Sequence, residues 1–135
     1  MFKQIHILRI KPQQEITEEI LKFCDKNNIT SAVILSLLGS LQSAILSFLK
    51  ELPGKYISKT IAGPLEIASG TGTIALQEKA TLLHLHLIVS NEQKTFAGHL
   101  SKGVVFSTAE VVIGELKEQI KRAKDPYTGL NELLS

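Results

Sequence analysis

The alternation in Leu82-Leu-His-Leu-His-Leu-Ile-Val89 constrains this chain most, because it prescribes a β-strand with one imidazole-bearing face. His84 and His86 point one way, and Leu83, Leu85, Leu87 and Val89 point the other. The polar run Ser90-Asn-Glu-Gln-Lys-Thr95 then reads as a hairpin turn. If the turn is centred between Glu92 and Gln93, Val89 pairs with Phe96 and His86 falls opposite His99. Three imidazoles then converge on one point. A slip of one residue would send His99 to the opposite face, so the site depends on the register.

Two side chains in a His-x-His pattern on one strand face form a two-point chelate, and a third imidazole suits zinc or a related divalent cation at about 2.0 to 2.1 Å. Three protein ligands leave a fourth position for water, which opens a route to metal-dependent hydrolysis with Glu110 or Glu66 as proton acceptor if the fold brings either close. The plainer alternative is that the histidines are solvated or hydrogen-bonded to one another. His6 stands apart in an apolar run and reads as structural. The chain contains no Gly-x-Ser-x-Gly elbow, P-loop or His-Glu-x-x-His, and Gly70-Thr-Gly72 is too short for a dinucleotide fingerprint.

With 135 residues, one core is expected. An apolar fraction of 44% with 21% charged residues excludes a disordered or low-complexity chain. The net charge of +2 is too small for obligatory capture of nucleic acid, which leaves local candidates such as Lys117, Lys121 and Arg122, or Lys94 with Lys102. The single cysteine, Cys24, excludes an internal disulfide and falls with Ile16, Ile20 and Phe23 at helical spacing, so it is expected in the core. No secretory pattern follows Met1, and Ala32 to Leu38 is too short to span a bilayer. A cytoplasmic protein with no membrane partner is expected.

Phe2 to Ile10 reads as a first strand closed at Lys11-Pro12, and Gln14 to about Asn27 as a helix covering a sheet. Thr30 to Leu38 and Leu41 to Leu49 read as two strands joined by a tight connection at Gly39-Ser40. Leu52 to Lys55 is a turn and Tyr56 to Ala62 a strand. Gly63-Pro64 is a kink into Leu65 to Ala75, where two glycines suggest bulges. Gly103 opens a further strand from Val104 to Gly114, and Asp125-Pro126 and Thr128-Gly129 supply turns in the tail. These elements predict an α+β domain, a predominantly antiparallel β-sheet with one main covering helix, over residues 1–135. One helix cannot cover so much apolar strand surface, so self-association is expected.

The order of Gly39-Ser-Leu, Gly63-Pro-Leu-Glu-Ile-Ala-Ser-Gly70 with Gly72, His84-Leu-His86, Gly98-His-Leu-Ser-Lys-Gly103 and Asp125-Pro-Tyr-Thr-Gly-Leu-Asn-Glu-Leu133 resembles the plants-and-prokaryotes conserved domain. The resemblance covers nearly the whole chain and implies a homotrimer. In plant relatives an AT-hook precedes the domain and enters A·T-rich minor grooves, while the domain serves self-association and contacts with transcription factors. No Arg-Gly-Arg-Pro segment stands in these residues, so the assembly role is what transfers. The plant partner motif aligns with Gly63, Pro64, Leu65, Glu66 and Ile67, where glycine, glutamate and the aliphatic residue match. Gly63, Glu66 and Ile67 are therefore the partner-contact candidates. The alternative is that Glu66 and Ile67 simply alternate along a strand.

Two functions stand side by side at this point. The first is a homotrimeric, non-enzymatic protein that binds DNA or a protein partner. The second is a metal-binding protein or metal-dependent hydrolase built on His84, His86 and His99, with zinc as the expected cation.

Overall fold

A computed structural model describes residues 1–134. The order is β1 (Phe2–Ile10), α1 (Ile16–Lys26), β2 (Ala32–Glu51), β3 (Lys55–Gln77), β4 (Ala80–Ser90) and β5 (Thr95–Leu116). A tail of β6 (Arg122–Lys124) and β7 (Asn131–Leu133) follows. The main sheet runs β1-β5-β2-β3-β4, with every neighbouring pair antiparallel. The sheet curls far enough for β4 to pair with the start of β5 as well, closing four strands on themselves. This is the α+β, mostly antiparallel architecture with a single helix that the strand and helix periodicities predict.

The long strands differ from the expected short ones. Thr30 to Leu38 and Leu41 to Leu49 do not form a hairpin, because β2 runs unbroken through Gly39-Ser40. Gly39 has φ +142°, and a Cβ there would lie 2.1 Å from the Thr108 carbonyl oxygen. The glycine therefore permits close approach of β5 and does not reverse the chain. Likewise, Tyr56 to Ala62 and Leu65 to Ala75 are halves of β3, continuous across a cis Gly63-Pro64 bond. The bulge expected at the glycines of β3 lies instead between Ile67 and Ser69. Gly72 sits opposite Leu85 in regular register, where a Cβ would lie 2.2 Å from the His84 carbonyl oxygen.

The apolar face of α1 buries Ile16, Ile20 and Cys24 in a core that includes Leu37, Leu46, Ile74 and Leu87. Glu15 caps the helix, accepting from the Glu18 backbone N–H at 2.9 Å and from the Thr17 hydroxyl. Its other oxygen accepts the Gly103 N–H at 2.8 Å, which fastens the helix start to β5. His6 has the structural role expected, 3.0 Å from the Glu115 carboxylate and edge-on to Phe23.

On the opposite face of β1 and β2, Ile5, Ile7, Leu35 and Leu38 stay exposed, Ile7 to 77%. At the other end of the fold, the Asp125 carboxylate accepts two backbone N–H groups, from Tyr127 and Thr128, each at 2.8 Å. That turn folds β7 back on β6, pairing Glu132 with Ala123. The Leu76 N–H donates to the Ile120 carbonyl and Gln77 donates to Asn131, tying the tail to β3.

Candidate metal centre

The β4–β5 hairpin has the register on which the site depends. Val89 pairs with Phe96 and His86 with His99. The Asn91 side chain holds the turn by accepting the Gln93 and Lys94 N–H groups at 2.9 and 2.8 Å. His99 lies between two strands, paired with His86 on β4 and with Ser47 on β2. Leu85, Leu87 and Val89 enter the core from the other face of β4, which locks the histidines outward.

One nitrogen from each of His84, His86 and His99 lies within 4.8 Å of the others. The rings are 5.0 to 5.6 Å apart, centre to centre. The Nε2 atoms of His84 and His86 are 3.1 Å apart, near the roughly 3.3 Å that two tetrahedral ligands at about 2.0 to 2.1 Å from zinc would set.

Arg122 fixes the polarity of this pair. Its Nη2 donates to Thr73 Oγ1 at 2.8 Å and lies 3.4 Å from His84 Nδ1. A guanidinium only donates, so His84 Nδ1 faces it as an acceptor and the ring proton belongs on Nε2, directed at His86. A cation held at Nε2 would send that proton to Nδ1, keeping the ring neutral and opening the 3.4 Å contact with Arg122. Burial, then His99, Arg122 and His86, push the His84 pKa from 6.5 down to about 4, while Glu132 opposes the fall. Burial, then His86, also lowers His99. Both rings are thus neutral at pH 7, the state that binds metals.

Beside the cluster is a cavity of about 360 Å³, reached by His84, His99 and Ser101 from the sheet and by Arg122, Asn131 and Glu132 from the tail. Glu132 is the functional candidate that the sequence reading missed. A strand-like Asn131-Glu-Leu133 after the Thr128-Gly129 turn is the signal that would have found it, since it marks a returning arm. Glu66 and Glu110, the acceptors considered from sequence, lie elsewhere. Glu66 pairs with Ser40 and Ser90, and Glu110 pairs with Arg9 and Leu38.

Residues 1–117 match the Plants and Prokaryotes Conserved (PCC) domain. The chain belongs to the PCC-domain family. The metal-containing protein from Archaeoglobus fulgidus superposes with a TM-score of 0.91 at 26% identity, covering 100% of this chain and 96% of that one. A proposed DNA-binding protein from Bacteroides thetaiotaomicron gives 0.90 at 28% identity, covering 98% and 95%. The plant- and prokaryote-conserved protein from Pyrococcus horikoshii gives 0.88 at 26%, covering 100% and 95%. Among curated proteins, the bifunctional protein GlmU of Synechococcus sp. (strain JA-3-3Ab) is 31% identical over 133 residues. That match takes in 96% of this chain, which spans only 20% of the GlmU length.

Within this PCC domain the remaining candidates do not gather. Lys117 and Lys121 are exposed, but Arg122 is turned inward, 8% exposed, with Nη1 donating to the Asn131 carbonyl at 2.7 Å. Its guanidinium is committed to the tail and to Thr73, so the three residues do not form one basic surface. In the aligned partner motif, Glu66 is exposed while Ile67 is buried at 4% exposure. This is the alternation of an ordinary strand, and it removes Ile67 from any contact surface. Gly63 lies against the β2 backbone, where a Cβ would meet the Leu41 carbonyl oxygen at 2.4 Å.

Proposed function

We propose that this PCC-domain chain is a metal-binding protein in which His84, His86 and His99 hold one divalent cation, with zinc the best fit. The observation that carries the reading is the convergence of three imidazole nitrogens within 4.8 Å on a hairpin whose register is fixed. Neutral nitrogen donors in a compact, three-point set suit zinc better than magnesium or calcium, which prefer oxygen. A relative of this fold from Archaeoglobus fulgidus is itself described as metal-containing, which supports the reading. The test is metal content per chain on protein purified without a histidine tag or chelator, comparing wild type with His86→Gln. About one metal per chain in the wild type, falling several-fold in the variant, is expected. No metal in either protein, even after incubation with zinc, ends the proposal.

The second reading is association with DNA, favoured by the description of the Bacteroides thetaiotaomicron relative. Lys117 and Lys121 would supply weak, salt-sensitive phosphate contacts, without Arg122. Gel retardation at low and moderate salt tests it, and no shift at low salt removes it. In either case we propose a homotrimer, assembled through the uncovered face carrying Ile5, Ile7, Leu35 and Leu38. The cytoplasm suits the one buried thiol, Cys24.

A further inference from the structure

The three-imidazole reading leaves the adjoining cavity unexplained, and above all Arg122. This side chain is 8% exposed, and its buried Nε has no hydrogen-bond partner among the described residues. It also pairs with no carboxylate among them. A buried, uncompensated guanidinium is costly unless an anion comes to it. Its other nitrogens are held by the Asn131 carbonyl and the Thr73 hydroxyl, so it acts as a fixed charge.

The rest of the lining narrows the ligand. With neutral imidazoles, a divalent cation and Arg122 together outweigh the single carboxylate of Glu132 by two charges. Leu82, Leu83 and Leu130 add an apolar wall. The volume, about 360 Å³, sits at the small end of ligand pockets, which run from about 300 to 1,000 Å³. No helix N-terminus lines the space, so the usual backbone cradle for phosphate is missing.

We propose that this cavity binds a small monocarboxylate, its oxygens on the open position of the cation and near Arg122, its hydrocarbon end against the leucines. The proposal rests on the three-histidine metal reading. The leucine wall offers a second carboxylate no polar partner and thereby selects against dicarboxylates.

The test uses cobalt(II)-loaded protein, whose visible absorption reports the coordination sphere, titrated with propionate and with propionamide as its neutral isostere. Propionate is expected to shift the cobalt bands saturably, at least tenfold more tightly than propionamide. Glu132→Gln is expected to tighten propionate several-fold by removing the like charge. Leu82→Trp, which fills the cavity, is expected to keep the cobalt bands and weaken propionate at least tenfold. Cobalt bands that propionate leaves unchanged, that respond equally to the amide, or whose response survives Leu82→Trp overturn the carboxylate site and leave the metal site standing. A protein that takes up no cobalt overturns both.

Discussion

The His84 ring is held well below its ordinary pKa, and the shift has a consequence for stability. The unfolded chain takes up a proton near pH 6.5, whereas the folded chain resists it until about 4. The unfolded state therefore binds more protons within that window, and stability falls as pH drops through it. Denaturant titrations of metal-free protein at pH 7, 5.5 and 4.5 are expected to show this decline, with a shallower slope in His84→Gln. An equal slope in the variant would assign the decline to other groups. The sequence disclosed much of this site because a strand period of two puts His84 and His86 on one face, and the turn centre then places His99. It did not disclose Glu132 or the inward course of Arg122. Both reach the site through a tail that returns to the sheet by contacts distant in sequence, which no local period records.

At the scale of elements, the helix and the β4–β5 hairpin were legible, since each is defined by neighbours in sequence. The long strands were not. Gly39 has the composition of a turn, and only the Thr108 carbonyl pressed against it shows that it serves close packing. Gly72 makes the same close approach to a cross-strand carbonyl, that of His84, next to the histidines. Gly72→Ala is expected to cost about 1 to 3 kcal/mol by forcing β3 from the His84 backbone, and to weaken metal binding as the hairpin shifts. Chemical denaturation and zinc titration check the two effects. A variant as stable as wild type would show that the strands yield without cost. Glu15 ties α1 to β5 through the Gly103 N–H, so Glu15→Ala is expected to lose about 1 to 2 kcal/mol, read as a lowered denaturation midpoint. Glu15→Gln retains an acceptor and should lose less.

For the whole molecule, the fold class followed from many strand periods and one helical one, and the surplus of apolar strand surface pointed to association. The uncovered residues on β1 and β2 are the proposed interface. Ile7→Glu is expected to convert an assembled species to monomer in light scattering coupled to size exclusion, with the circular dichroism spectrum unchanged. A wild type that is already monomeric would refute the trimer. The placement of the three histidines on one hairpin, within residues 84–99, also reaches beyond the native state. An unfolded chain keeps these ligands close together, because closing so short a loop costs little entropy. If these residues hold zinc as proposed, the metal finds a rudimentary chelate in the denatured ensemble as well, and only the difference between the two affinities stabilises the fold. The rise in melting temperature on adding metal should fall short of what the native-state dissociation constant alone would imply.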